Sequence, residues 1–226
     1  MTEPVGERTL RRWAESLAGI ARTGLAFTES QYERERFEEV LHIAADIKYH
    51  ADHDVDAESH VQEWYGQVQP GRPGYATPKL AVGAAVSNDK GELLLIQRAD
   101  SGVWLYPTGY CDIGYSAVEV CVKEVFEETG IEVEPVRLLG ILDTLRHGSS
   151  RMALYSMLFF CRQSGGELNL HPLECSDAGW FRRDNLPGPI FGLERWVDPV
   201  FAAINGEVHP PFYDDIRNPI WRGDFS

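Results

Sequence analysis

The chain has 226 residues, and its 21 Lys and Arg residues against 35 Asp and Glu residues give a formal net charge of −14 at pH 7. This acidic balance argues against a protein that binds the phosphate backbone of nucleic acids, because such binding needs clustered cations. A small anionic ligand remains compatible with the charge if a cation accompanies it.

Cysteine usage and hydropathy bear on the compartment. The four cysteines show no CxxC spacing, which argues against a zinc site or a disulfide framework. The stretch MTEPVGERTLRRW lacks the apolar run of a signal peptide, and no stretch has the length of a membrane span. We therefore expect a cytoplasmic protein that makes no membrane contact.

The first 65 or so residues carry helical periodicity. Apolar residues recur at helical spacing over 10–21, and Gly24 predicts the end of that helix. Ser30 and Glu33 have the spacing of a capping box and predict the start of a second helix. A short third helix is predicted over 58–65. We expect these elements to form a small all-helical domain.

The texture of the sequence changes after QPGRPGYATP, a stretch rich in Gly and Pro. LAVGAAV, ELLLIQR, VRLLGILDTL and MALYSMLFFC read as buried strands, and a helix is predicted over 193–204. Strands mixed with helices indicate a layered α/β domain. The predicted organisation is a helical domain over 1–70, a linker over 71–78 and an α/β domain over 79–226.

The segment GYCDIGYSAVEVCVKEVFEETG predicts a loop followed by a helix. Ser116 and Glu119 have capping-box spacing, and Gly130 suits the left-handed residue that ends many helices. The predicted buried stripe of this helix consists of Val118, Cys121, Val122 and Val125.

Three glutamates stand beside that stripe. Glu124 and Glu128 are four residues apart, so their like charges meet on one helical face, and Glu127 adds a third charge. Two interpretations fit. The helix exposes an ordinary solvated face on which Lys123 pairs with Glu119 or Glu127, or the carboxylates coordinate a divalent cation such as Mg²⁺. Periodicity alone permits both.

The wider spacing resembles the signature of the Nudix hydrolases, in which a Gly and then a Glu precede an Arg-Glu-aliphatic-x-Glu-Glu-x-Gly-aliphatic run. The matching residues are Gly109, Glu124, Val125, Glu127, Glu128, Gly130 and Ile131. The likeness extends over about 79–204, through the LLLIQR strand, Pro107 and WFRRDNLP. Two positions depart from the signature: its first Glu is Tyr115 here, and its Arg is Lys123.

In the family the two departing residues pair and brace the loop against the helix. We expect Tyr115 to brace it instead as a hydrophobic staple on Val120, while Lys123 keeps the charge without the bidentate fork. Retention of the carboxylates implies an active enzyme. The alternative is a catalytically weak or inactive Nudix-like module for ligand binding or protein interaction.

The resemblance implies an α/β Nudix fold, a mixed sheet sandwiched between helices, preceded by the small helical domain. It also implies hydrolysis, dependent on Mg²⁺ or Mn²⁺, of the diphosphate bond in a nucleoside diphosphate linked to another moiety, of the CDP-choline or ADP-ribose kind. The implied metal ligands are Gly109, Glu124, Glu127 and Glu128. The implied catalytic residues are Glu124, Glu128 and Glu174, with Glu124 or Glu174 accepting the proton of the attacking water.

Each remaining candidate has a structural alternative. Arg98 ends a strand near the acidic helix and binds a phosphate or forms a surface salt bridge. Arg146 and Arg151 flank the loop HGSS, which contacts substrate or is a solvated tip. Tyr110 stacks on a base or packs in the core. Glu174 assists water activation or caps the local backbone.

The segment RWAESLAGIARTGLAFTESQYERERFEEVLHIAADI resembles the helical domain of a Nudix subfamily whose better-known members act on CDP-choline and similar compounds and form dimers. Trp13, Phe37 and Trp64 are large apolar residues in a segment too short to bury them well alone. We therefore expect a homodimer through the N-terminal helices, since a two-fold dimer is the commonest closed arrangement.

Overall fold

The computed structural model describes residues 6–52, 56–68, 76–112, 114–147 and 152–216. The chain divides into two compact units: Met1–Lys79 with Thr144–Leu154, and Leu80–Asp143 with Tyr155–Ser226. The domain boundaries predicted from the sequence remain predictions, and most of the predicted linker lies outside the described residues.

The first unit contains the helices α1 (Glu7–Phe27), α2 (Gln31–Asp52) and α3 (Ala57–Gly66). They bury a common apolar cluster that includes Leu41 and Trp64. Small alanines on the facing sides of α1 and α2 are fully buried, so the two helices approach closely.

The helix α1 continues past Gly24, where the sequence predicted its end. The ring of Phe37 lies against that glycine, and a Cβ at position 24 would come within 2.3 Å of it. Gly24 therefore allows two helices to approach and does not end one. Ser30 accepts the Glu33 N–H at 3.4 Å, as predicted, whereas the Glu33 carboxylate accepts a hydrogen bond from Thr28 Oγ1 at 2.5 Å.

In its described residues, the second unit is built around a sheet of seven strands. They are β1 (Lys79–Ser87), β2 (Leu93–Arg98), β3 (Trp104–Leu105), β4 (Thr108–Tyr110), β5 (Ile131–Asp143), β6 (Leu154–Gly166) and β7 (Cys175–Phe181). The main order is β3-β2-β1-β6-β5, with β4 paired to β1 and β7 paired to β2. The β1–β2, β1–β4, β2–β3, β2–β7 and β5–β6 pairs are antiparallel.

Two helices cover the sheet on opposite faces, α4 (Ala117–Thr129) and α5 (Leu193–Ile204). Leu93 and Leu95 belong to the apolar cluster that contains the buried residues of α5, whereas Leu94 belongs to the cluster that contains those of α4. Successive strand residues thus face different layers. Burial on both faces explains why the central strands read as continuous apolar runs.

The predicted α/β class, a mixed sheet sandwiched between helices with a helical region before it, is confirmed. Among the described residues, no helix combines the length and the apolarity that crossing a membrane requires.

Candidate active site

The short strand β4 brings Gly109 to the side of the sheet that α4 covers. Gly109 pairs with Val82 of β1, and the neighbouring Thr108 donates its hydroxyl to the Val82 carbonyl at 2.6 Å. The residue after β4 is held as well, since Cys111 N donates to the Leu80 carbonyl at 2.9 Å. The backbone around Gly109 is therefore fixed by the sheet.

Local interactions set both ends of α4. Ser116 accepts the Glu119 N–H, and the Glu119 carboxylate accepts the Ser116 N–H at 2.6 Å, which completes the predicted capping box. Gly130 follows the last helical residue with φ +72°. The predicted left-handed stop is thus present.

The carboxylate of Glu128 lies under β4. One of its oxygens accepts the Thr108 N–H at 3.0 Å, and the residue is 7% exposed. Burial raises the pKa of Glu128 to about 8, because an ionised carboxylate loses its hydration there. The Thr108 hydrogen bond and Arg98 oppose this shift, while Glu124 and Glu174 add to it.

Glu124 lies directly on Gly109. A Cβ at position 109 would come within 2.1 Å of the Glu124 carboxyl carbon, so only glycine leaves room for this side chain. Burial raises the pKa of Glu124, Lys123 opposes the shift, and Glu127, Glu174 and Asp112 add to it. The structure therefore brings Gly109 and Glu124 together, as the sequence predicted.

Lys123 stands among acidic groups on the outer side of α4. Its Nζ lies 2.9 Å from Glu127, 3.2 Å from Asp112 and 3.9 Å from Glu124. These contacts raise the pKa of Lys123, chiefly through Glu127 and then Asp112. Asp112 was not among the residues identified from the sequence. Only its charge and its place in the loop could have pointed to it.

Glu174 also belongs near this site. It is close enough to Glu124 and Glu128 to raise the pKa of each. Its backbone is held by the Ala99 N–H, which donates to the Glu174 carbonyl at 2.9 Å, and His171 Nδ1 lies 3.7 Å from its carboxylate. We call Glu124, Glu127, Glu128 and Glu174 the acidic cluster.

The predicted substrate contacts fall in different places. Arg98 binds Asp100 through two hydrogen bonds, of 2.9 and 2.6 Å, so the surface salt bridge named as its alternative is present. Tyr110 is 54% exposed on β4, next to Gly109. Arg146 belongs to the Thr144–Leu154 segment of the first unit, and Arg151 lies outside the described residues.

The expected staple between Tyr115 and Val120 is wrong. Tyr115 is 56% exposed, whereas Val120 is fully buried in the apolar cluster between α4 and the sheet. The capping box already fixes the start of the helix and leaves the tyrosine ring in solvent. Asp112 links the loop to α4 through its ion pair with Lys123.

The acidic cluster suits a hard divalent cation in its donor chemistry, because carboxylate oxygens and a backbone carbonyl are what Mg²⁺ takes. The close approach of Glu124 to Gly109 adds a geometric reason for the fit. No three of the described His, Cys, Asp and Glu side chains converge as a ready-made metal site. The carboxylates of the cluster have protein partners instead, the nearest being Lys123 for Glu127 at 2.9 Å and the Thr108 N–H for Glu128 at 3.0 Å.

Comparison with known families matches both parts of the chain. Residues 77–204 match the NUDIX domain, and residues 8–63 match a family described as the UDP-X-like, N-terminal oligomerisation domain. A solved structure of a UDP-X diphosphatase aligns with 89% of this chain and 97% of its own, with 26% identity and a TM-score of 0.53.

Curated relatives differ in how much they share. YjhB of Bacillus subtilis (strain 168), whose name carries a provisional ADP-ribose pyrophosphatase assignment, is 34% identical over 177 residues, which cover 77% of this chain and 81% of YjhB. The 8-oxo-dGDP phosphatase NUDT18 of Mus musculus is 34% identical over 113 residues, which cover 47% of this chain and 33% of NUDT18. The matched domain, the length shared with YjhB and the retained carboxylates together show that this chain belongs to the Nudix hydrolase family.

Proposed function

We propose that this Nudix hydrolase cleaves the diphosphate bond of a nucleoside diphosphate linked to a second moiety, with Mg²⁺ or Mn²⁺ as its cofactor. The observation that carries the proposal is the acidic cluster beside Gly109, in which Glu174 adds to the raised pKa of Glu124 and of Glu128, and Glu124 adds to that of Glu128. Such repulsion is relieved when a cation binds. Two similar proteins are named for ADP-ribose and UDP-X, and the first is a diphosphate joined to a further group.

The side chains have distinct parts in this proposal. Glu124, Glu127 and Glu128, with the Gly109 carbonyl, are the ligands. Glu128 is oriented by the Thr108 N–H and Glu124 by its contact with Gly109. Glu124 or Glu174 accepts the proton of the attacking water. A divalent cation held there supplies positive charge that neutralises the diphosphate and acidifies the water.

Replacement of Glu124 by Gln tests this assignment. Glutamine keeps the shape beside Gly109 but removes the charge, so turnover should fall on the order of a hundredfold or more, which matches the several kcal/mol that a metal ion supplies. Release of nucleoside monophosphate from ADP-ribose, UDP-glucose and CDP-choline, with and without Mg²⁺, provides the measurement.

Glu134→Gln is the matched control, because Glu134 is exposed on β5 outside the acidic cluster. It should keep the turnover of the unaltered protein. Near-normal turnover in Glu124→Gln would contradict the assignment of that residue. Failure of the unaltered protein to cleave any of the three compounds with Mg²⁺ or Mn²⁺ would contradict the proposed function.

The proposed assembly is a homodimer through the N-terminal helices. Its support is the match of residues 8–63 to a domain described as an oligomerisation domain. A second support is the exposure of Trp13, Ile20 and Phe27 on α1, at 43%, 62% and 50%. Residues spaced by seven lie on one side of a helix, so these three form an apolar stripe.

A further inference from the structure

The loop between β4 and α4 is tied to the helix by an ion pair that departs from the Nudix signature. Asp112, in this loop, lies 3.2 Å from Lys123 Nζ, and Lys123 is on α4 immediately before Glu124. Where the signature places a Glu, the chain has Tyr115, and that side chain is exposed. The loop acid that pairs with Lys123 is therefore Asp112, three residues before Tyr115.

The position of Asp112 connects it to the backbone that carries Gly109. Only two residues separate Gly109 from Asp112, and between them Cys111 N is held on the Leu80 carbonyl at 2.9 Å. The backbone carbonyl of Asp112 in turn accepts the Tyr115 N–H at 3.4 Å. Asp112 therefore directly follows backbone that is held by the sheet.

Lys123 carries the connection on to the acidic cluster. The same Nζ that meets Asp112 lies 2.9 Å from Glu127 and 3.9 Å from Glu124. A lysine ammonium has three donors and no rigid fork, so a single partner would not fix its position. Lys123 Nζ is thus held between Asp112 on the loop and two of the proposed ligands on α4, Glu127 and Glu124.

We propose that Asp112 is a positioning residue, which acts through Lys123 to hold the Gly109 loop in register with Glu124 and Glu127 for a divalent cation. The inference rests on the proposed function of the acidic cluster as a metal site. Asp112 does not itself need to touch metal or substrate. Residues that orient ligands in this way typically change metal affinity by about 10-fold to 100-fold when they are replaced.

Direct metal binding tests the inference without relying on catalysis. Free Mn²⁺, followed by electron paramagnetic resonance, is titrated into metal-stripped full-length protein and into a set of single and double variants. Asp112→Asn should raise the dissociation constant on the order of tenfold, because it keeps the shape but removes the charge. Asp112→Glu should stay within about threefold of the unaltered protein, since it restores the ion pair.

Asp198→Asn is the matched control. Asp198 pairs with Arg183 in an exposed ion pair of the same unit, outside the acidic cluster, so its loss should leave Mn²⁺ affinity unchanged. If Asp112 acts through Lys123, Asp112→Asn should also have no further effect in a Lys123→Met background. Thermal unfolding of each metal-free variant establishes that it is folded.

The possible outcomes distinguish a failure of the positioning role of Asp112 from a failure of the proposed function. Unchanged Mn²⁺ affinity in Asp112→Asn, equal losses in Asp112→Asn and Asp112→Glu, or additive losses with Lys123→Met would each overturn the positioning role and leave the proposed function standing. An equal loss in Asp198→Asn would do the same. No Mn²⁺ binding by the unaltered protein would overturn the proposed function and this inference with it.

Discussion

The metal-free fold disfavours the ionised form of the Glu128 carboxyl group. The group ordinarily titrates near pH 4.5, and burial raises its pKa to about 8 despite the hydrogen bond from Thr108. Without a cation, Glu128 is therefore protonated at neutral pH. Metal binding at the acidic cluster would then release a proton, as expected for ligands that must be deprotonated.

Glu128→Gln should stabilise the metal-free protein at alkaline pH. Between pH 4.5 and about 8 the folded state holds a proton that the unfolded state has released, so stability falls as the pH rises through this window. Glutamine removes that penalty and can still accept the Thr108 N–H. Its melting temperature should exceed that of the unaltered protein at pH 8.5, by about 2–4 °C for each kcal/mol recovered.

Calorimetry in the presence of a chelator at pH 5 and pH 8.5 provides the measurement. The advantage of Glu128→Gln should be small at pH 5 and largest at pH 8.5. An advantage that is equal at both values, or a variant that is less stable at pH 8.5, would show that burial does not hold the proton on Glu128.

Tyr115→Ala should change stability little, within about 0.5 kcal/mol, because the ring is exposed and buries little apolar surface. Val120→Ala is the contrasting variant. Val120 is fully buried, so losing two methyl groups should cost about 2 kcal/mol. Chemical denaturation measures both. If Tyr115→Ala costs as much as Val120→Ala, the staple predicted from the sequence exists after all.

For single residues, the sequence predicts which side chains lie together when their spacing is fixed by a helix. Glu124 and Glu128 must share a face whatever the rest of the fold does. The Asp112–Lys123 contact could not be predicted in that way, because it depends on the path of a loop. Tyr115 was misjudged for a related reason, since the capping box satisfies the helix start without it.

The helix α4 begins and ends where the sequence predicts, because each end depends on residues within one turn. Ser116 and Glu119 cap each other, and Gly130 adopts the left-handed conformation that closes the last turn. Gly24 is also a glycine, but it is needed for a different reason. A side chain at position 24 would collide with the ring of Phe37 on α2. A reason on another element cannot be read from local sequence.

Gly130→Ala should destabilise the second unit more than a positive φ alone would. Alanine in this region costs roughly 1–2 kcal/mol, and its Cβ would come within 2.7 Å of the Glu167 carbonyl. Gly102→Ala separates the two effects, because Gly102 has φ +66° and open space around its Cβ position. Chemical denaturation should show the larger loss for Gly130→Ala. Equal losses would mean that the contact with Glu167 relaxes at no cost.

The whole molecule combines a segment that matches the NUDIX domain with helices that match a family described as an oligomerisation domain. Trp64 is buried inside the first unit and Phe37 packs on Gly24, so neither needs the partner that the sequence suggested. Trp13 remains 43% exposed and shares its side of α1 with Ile20 and Phe27. Of the three residues named from the sequence, Trp13 is therefore the one that leaves an exposed apolar side chain, and it belongs to the stripe on α1. A second copy of the chain is the partner that the oligomerisation-domain match supports.

Ile20→Glu should convert the proposed homodimer to a monomer. Ile20 lies at the centre of the exposed stripe, and a two-fold interface would bring two new carboxylates close together, where their repulsion and desolvation oppose association. Light scattering at micromolar concentration measures the mass. Val208→Glu, at a 77% exposed site in the second unit, is the matched control and should stay dimeric.

A chain that begins at Thr77 should be monomeric or poorly soluble. A monomeric unaltered protein, or a truncated chain that remains a stable dimer, would contradict this assembly.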